Sequence, residues 1–144
     1  MFSKTCEYGL RAVIFIAQES KIDNKLSITA ISDAIDSPKP FTAKILQQLT
    51  KNKIVQSIKG PHGGFFIDKK DLKEITLSNI VQVLDGDTIY TGCGLGLHEC
   101  NENKPCPVHF KFIEIRNDLR KMLENTTLLE LSEDKNLRDS FLKN

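Results

Sequence analysis

The sequence predicts a mostly α-helical fold carrying one small β-hairpin, and three observations predict it. Apolar residues recur at helical spacing near the start, in the middle and near the end of the chain. Two short β-prone runs flank the glycine-rich stretch Gly60-Pro61-His62-Gly63-Gly64, a hairpin signal. Late in the chain, Val108, Phe112, Ile115, Leu119 and Met122 step by four and three alternately, the seam of a long helix that packs lengthwise on another.

The elements follow in order. Residues 3–18 read as a helix, with Leu10, Val13, Ile14 and Ala17 on one side and Ser3, Glu7, Arg11 and Gln18 near one another on the polar side. After a polar loop, Ser27 stands where an N-cap belongs, ahead of Ile28, Ile31 and Ile35. Asp36-Ser37-Pro38 ends that short helix, since a residue before proline avoids the helical region. Pro40 suits the first turn of the next helix. There Phe41, Ile45 and Leu49 repeat along an inner face, leaving Thr42, Lys44, Gln47, Gln48 and Lys51 to point outward. Residues 55–59 and 65–67 form the two strands. Thr76 caps a further helix through Ile80, Val83 and Leu84, and Gly86 stops it. Residues 87–105 form a loop too long for a compact domain unless it has a function. The seam helix follows Pro107, and Thr127-Leu128-Leu129-Glu130 offers a capping box for a last short helix.

Two short helices joined by a tight turn, then a hairpin, make a winged helix-turn-helix. The division expected is a DNA-binding domain at 1–70, a linker helix at 71–90, a cysteine loop at 91–106, and a dimerisation helix with a C-terminal helix at 107–144. At 144 residues the chain is long enough to bury a real core, and 40% apolar with 27% charged residues is ordinary for a globular protein. No apolar run approaches the roughly 20 residues of a membrane helix. Lys4, Glu7 and Arg11 also break up any signal-peptide stretch, so no membrane association and a cytoplasmic location are expected.

Net charge is only +1, but its distribution is uneven. From Ser37 to Ile67 there are five lysines (Lys39, Lys44, Lys51, Lys53 and Lys59) and no acid, whereas from Asp71 onward acids outnumber bases thirteen to nine. A basic segment in a near-neutral chain suits contact with a polyanion. In a winged helix-turn-helix the start of the second helix enters the major groove of double-stranded DNA. Its outward residues there are Lys39, Thr42, Ala43 and Lys44, with Gln47, Gln48 and Lys51 farther along. Lysine can meet phosphate or the acceptor edge of guanine, and threonine a base through hydroxyl or methyl. The wing adds Lys59, His62 and Gly63. Plainer readings exist: a solvated lysine face, a solvated turn histidine at His62, and an ordinary helical core for Phe41, Ile45 and Leu49.

Four cysteines in a cytoplasmic chain are poor material for a disulfide framework. Cys93, Cys100 and Cys106 fall within fourteen residues, separated by six and five, and His109 follows Cys106 after two more. Thiolates favour zinc, copper(I) or iron–sulfur clusters. Structural zinc sites use closer cysteine pairs, although three cysteines and a histidine satisfy tetrahedral zinc. Gly92, Gly94 and Gly96 give the loop room to wrap a cluster. Spacing therefore ranks an iron–sulfur cluster first, zinc second and a metal-free thiol switch third. Cys6 reads as a packed side chain, His109 equally as a first-turn surface histidine, and Glu7 as an ion pair with Arg11.

The chain resembles the family of winged-helix iron–sulfur regulators that includes the IscR and NsrR repressors. The resemblance rests on Cys6-Glu7-Tyr8-Gly9-Leu10-Arg11-Ala12, on Ile45-Leu46-Gln47-Gln48-Leu49, and on the wing from Ile54 to Gly64. It extends to Ile75-Thr76-Leu77 and Cys106-Pro107-Val108-His109. It implies a homodimer joined through the helix after the cysteines, palindromic promoter DNA as partner, and repression answering to nitric oxide, iron supply or redox state. It also implies a cluster loop at the base of the dimerisation helix, against the partner's first helix. For the fourth ligand it implies either His109, with a two-iron (2Fe-2S) cluster, or Glu7 from the partner subunit, with a four-iron (4Fe-4S) cluster. The six-residue first gap and Pro107, which can turn His109 elsewhere, favour Glu7. The recognition helix departs from the IscR type, holding Ala43 and Lys44 where that type has an acidic base-reading residue.

The rival classes are a thiol oxidoreductase and a protein-interaction module. Neither a Cys-x-x-Cys pair nor a βαβ pattern supports the first, and the second uses the winged helix as scaffold alone. The chain is expected not to be an enzyme.

Overall fold

The computed structural model describes residues 1–133 and 142–143; the part of the expected C-terminal segment at 134–141 and 144 lies outside the described residues. Helix α1 spans Lys4–Ser20, and the Ser3 hydroxyl caps it by accepting from the Cys6 amide at 3.1 Å. Its inner face is Cys6, Gly9, Ala12, Val13, Ile16 and Ala17, a helical repeat of small and branched side chains. Such a narrow face lets neighbours approach closely, and α1 becomes the hub of the fold. Helix α2 (Ile28–Ile35), capped by Ser27, ends at Asp36 in the left-handed region with φ 53°. Helix α3 (Lys39–Lys51) then crosses α2, both resting on α1.

The hairpin pairs β1 (Gln56–Ile58) with β2 (Gly64–Phe66) in antiparallel register, Ser57 opposite Phe65. Leu26 exchanges two backbone hydrogen bonds with Phe65, tying the wing's base to the segment before α2. At the turn, the Gly63 amide donates to the Gly60 carbonyl at 3.0 Å, and a Cβ on Gly63 would run into the Ile58 carbonyl. Glycine at 63 is thus demanded by the hairpin itself.

Two short helices went unanticipated. Helix α4 (Lys69–Glu74) follows the wing, with Leu72 as its one buried residue, so no apolar period marks it. Helix α5 (Leu77–Asp85) carries a complete capping box between Thr76 and Asn79, and its C-cap is Gly86. Helix α6 (Thr88–Thr91) is a single turn inside the expected loop. Helix α7 (His109–Asn125) is the expected seam helix, and α8 (Leu128–Glu133) is capped by Thr127, whose hydroxyl accepts from the Glu130 amide at 3.2 Å.

There are two cores. The larger joins α1, α2, α3 and the base of the wing, and continues past residue 70 to take in Leu72, Ile75, Ile80 and Leu128. The smaller gathers Cys6, Val81 and Leu123, with Leu119, Ile89 and Tyr90 packed against it, and so joins α1 and α5 to α6 and α7. Ser3 reinforces that junction, its amide and hydroxyl both donating to the Asp85 carboxylate at the end of α5.

Thr42 corrects a sequence expectation. It faces inward at 0% exposure, because the buried face of α3 is Thr42, Ile45, Leu46 and Leu49. Its hydroxyl donates within α3 to the Pro38 carbonyl at 3.1 Å and lies 3.0 Å from the Ser37 hydroxyl, so burial leaves no orphaned oxygen. It closes the turn and is removed from the base-reading set.

Gly9 sits where α1 meets both α3 and α5: an added Cβ would collide with the Leu84 side chain and touch Ile45 at 3.5 Å. Gly9→Ala gains roughly 0.5–1 kcal/mol of helix propensity but overpacks by about 1–3 kcal/mol. Urea melts should show a net loss of about 1 kcal/mol, and in a Leu84→Ala background the same substitution should be neutral or stabilising. Equal stabilisation in both backgrounds contradicts the packing described.

Candidate nucleic-acid interface and metal centre

The outer face of α3 and the wing make one basic surface. Lys39, Lys44, Gln47, Gln48, Lys51, Lys53, Lys59 and His62 are exposed, while Ala43 and Gly63 are half-buried. Among the described residues none of these five lysines has an ion-pair partner. The N-terminus of α3 has no side-chain cap and starts at the exposed Lys39, and both the helix end and the lysine charge favour an anion. Behind this surface, Tyr8 of α1 meets Phe41 edge-on at 5.4 Å between ring centres. The Arg11 guanidinium lies 4.3 Å from the Tyr8 ring and donates to the Ile35 carbonyl at the end of α2. Arg11 therefore braces the two helices of the motif.

The cysteine loop leaves α6 at Gly92 and re-enters at α7. Its three cysteines are free and half-buried. The amides of Leu95, then of Leu97 and Gly96, with the Arg116 charge, hold the Cys93 thiol below its ordinary pKa. Cys6 behaves oppositely: burial, with the Asp85 carboxylate nearby, pushes its thiol up to about 12, so it packs as a neutral side chain.

His109 is buried at 3% exposure, and its Nδ1 lies 3.3 Å from the Cys100 Sγ. The expectation that Pro107 turns His109 away is thereby corrected. The His109 amide donates to the Cys106 carbonyl at 3.0 Å, a turn that carries the ring back to the loop. Arg116 donates from Nη2 to the same Cys100 sulfur at 3.1 Å and from Nη1 to the Gly92 carbonyl at 2.6 Å. Sequence reading missed Arg116, yet it stands seven residues after His109 and so on the same helix face. Glu7 is on α1, gripped by Lys4 at 2.9 Å, and that hydrogen bond holds its carboxyl below the ordinary carboxylate range. Its partner is Lys4 rather than Arg11.

Among the described residues no three histidine, cysteine or acidic side chains are already drawn into a metal-holding group. The donor types, thiol and imidazole, are nonetheless those that iron–sulfur clusters take. Three thiols and an imidazole come from one loop and the first turn of α7; of these, Cys100 and His109 lie together at 3.3 Å, and His109 Nε2 is buried without a hydrogen-bond partner. The other orphaned buried polar atoms among the described side chains, Tyr90 OH and Arg116 Nε, belong to α6 and α7 as well.

The apolar positions of α7 divide into two strips. Leu123 and the half-buried Leu119 pack into the smaller core, and the Phe112 ring lies over Gly94. Ile115 and Met122 remain 60% and 48% exposed on the adjoining strip. The seam is thus partly used within the chain.

Comparison with known proteins agrees with this architecture. The family model described as "Rrf2: Iron-dependent Transcriptional regulator" matches residues 2–134. A candidate HTH-type transcriptional regulator of Aquifex aeolicus is 33% identical over 133 residues, covering 91% of this chain and 90% of the relative. The HTH-type transcriptional regulator IscR of Yersinia pseudotuberculosis is 26% identical over 124 residues, covering 86% and 74%. Among solved structures, CymR, the global cysteine regulator of Bacillus subtilis, superposes with a TM-score of 0.71 at 24% identity over 92% of this chain and 95% of its own. With a winged-helix fold, a basic recognition face and a family match across almost its whole length, this chain belongs to the Rrf2 family of transcriptional regulators.

Proposed function

We propose that this DNA-binding regulator works as a homodimeric repressor of promoter DNA. Its affinity is set by an iron–sulfur cluster held by Cys93, Cys100 and Cys106, with His109 as fourth ligand. The observation that carries the reading is the Cys100–His109 pair at 3.3 Å, with the second imidazole nitrogen buried and unpartnered, in a family described as iron-dependent. His109 displaces Glu7 as the preferred ligand, and with it goes the reason for favouring a four-iron over a two-iron cluster. Bound there, the cluster supplies a redox-active centre that reacts with nitric oxide and depends on iron supply.

The chain's own part is transmission. The loop is anchored on α6 and α7, these pack through Leu119, Leu123 and Tyr90 onto Cys6 and Leu10 of α1, and Gly9 of α1 adjoins Ile45 of α3. In a dimer the two α3 helices must meet half-sites about one helical turn apart, so a small rotation of α1 changes DNA affinity. A second reading is a thiol switch, favoured by the free cysteines and the depressed Cys93 thiol.

Anaerobic purification with iron and sulfide assays separates the two. Stoichiometric iron and acid-labile sulfide, lost in His109→Ala but kept in Glu7→Ala, is the expected result. Zinc without sulfide, or a disulfide formed reversibly in metal-free protein, overturns it.

The exposed Ile115 and Met122 strip is the proposed dimer contact. Ile115→Asp combined with Met122→Asp should sediment as a folded monomer, and a persisting dimer rules this strip out. For DNA, five lysines per chain place ten on a dimer. If half meet phosphates, log affinity should fall against log salt with a slope of roughly −4 to −5. Lys59→Ala should weaken all sequences alike, whereas Lys44→Ala should also blur preference; a salt-independent affinity contradicts both.

A further inference from the structure

Arg116 has a place in the structure that DNA binding does not require. Its side chain reaches from the second turn of α7 to two separated points of the cysteine loop: the Gly92 carbonyl at the loop's start and the Cys100 sulfur at its middle. One turn later, Arg120 lies 4.1 Å from the Tyr90 ring of α6, so α7 also grips the element from which the loop departs. The result is a loop held at Gly92 and Cys100 by a single planar guanidinium, with His109 completing the approach to Cys100 from the same helix face.

The chemistry of this contact is specific. Guanidinium stays charged at every relevant pH and presents several N–H donors in a fixed fork, so one side chain can serve a carbonyl and a sulfur together. A lysine ammonium on a flexible stem keeps the charge but lacks that fork. Hydrogen bonds to the sulfur of a ligating cysteine withdraw electron density from it and raise the reduction potential, while a partner that fixes the ligand's orientation supports metal retention. Arg116 Nε is itself buried without a hydrogen-bond partner.

We propose that Arg116 is the positioning residue of the cysteine loop: it presents Cys100 for ligation, and with the cluster bound it donates to the Cys100 sulfur and sets the reduction potential. This rests on the iron–sulfur reading above, and the experiment keeps the two apart. Wild type, Arg116→Ala and Arg116→Lys are prepared in cluster-free form and after anaerobic reconstitution with iron and sulfide. In cluster-free protein, amide exchange across residues 92–106 should quicken about tenfold in Arg116→Ala, equivalent to roughly 1.4 kcal/mol for the two lost hydrogen bonds together, while α1 and α3 keep their protection. In reconstituted protein, Arg116→Ala should lose iron to a chelator about 10–100-fold faster and show a lower midpoint potential. Arg116→Lys should recover part of the potential but not the loop's protection. If wild type takes up no iron and sulfide, the cluster reading falls and this role with it. If wild type loads normally and Arg116→Ala matches it in potential and iron retention, the proposal alone is overturned. Should Arg116→Ala load too little cluster to titrate, the potential of Arg116→Lys decides: an unshifted value overturns the role in tuning.

Discussion

The structure depends on the close packing of α1 against its neighbours. Its inner face is built from Gly9, Ala12, Val13, Ile16 and Ala17, and α1 touches α2, α3, α5, α8 and β2. The missing side chain at Gly9 admits Leu84 of α5 on one side and leaves Ile45 of α3 in contact range on the other. Interiors at this density transmit displacement because there is little free volume to absorb it. A helix that belongs to both cores is therefore the route by which packing contacts connect the basic face to the cysteine loop.

That route gives meaning to the division of charge and chemistry along the chain. The acid-free stretch from Ser37 to Ile67 supplies the recognition helix and wing, while the three loop cysteines and the orphaned buried groups of Tyr90, His109 and Arg116 lie beyond residue 85. Cys6 lies on the α1 side of the smaller core, where burial beside Asp85 pushes its thiol up and it packs as a neutral side chain. Its neighbour Leu10 packs against both cores.

Much of this was legible in the residues. The period of α1, the Ser27 and Thr76 caps, the Gly86 stop and the glycine turn of the wing are local signals, and each matched an element. Thr42 is hidden from sequence reading because Phe41, Ile45 and Leu49 alone define an inner face of α3 that leaves it outside. Leu46 shares that face, and its inclusion rotates the buried arc over Thr42. Helix α4 has one apolar anchor and α6 one turn, so neither produces a period. The clasp of Arg116 on Gly92 and Cys100 spans 24 and 16 positions in sequence, and such a contact exists only after the loop has folded back on α7.

We propose that the state of the cysteine loop governs the recognition helices through α1. The most direct test is the affinity of one selected operator duplex for the same protein with and without its cluster, under anaerobic conditions at one salt concentration. Affinities at least about tenfold apart are expected, equivalent to roughly 1.4 kcal/mol of coupling. Equal affinities for the two forms would contradict it.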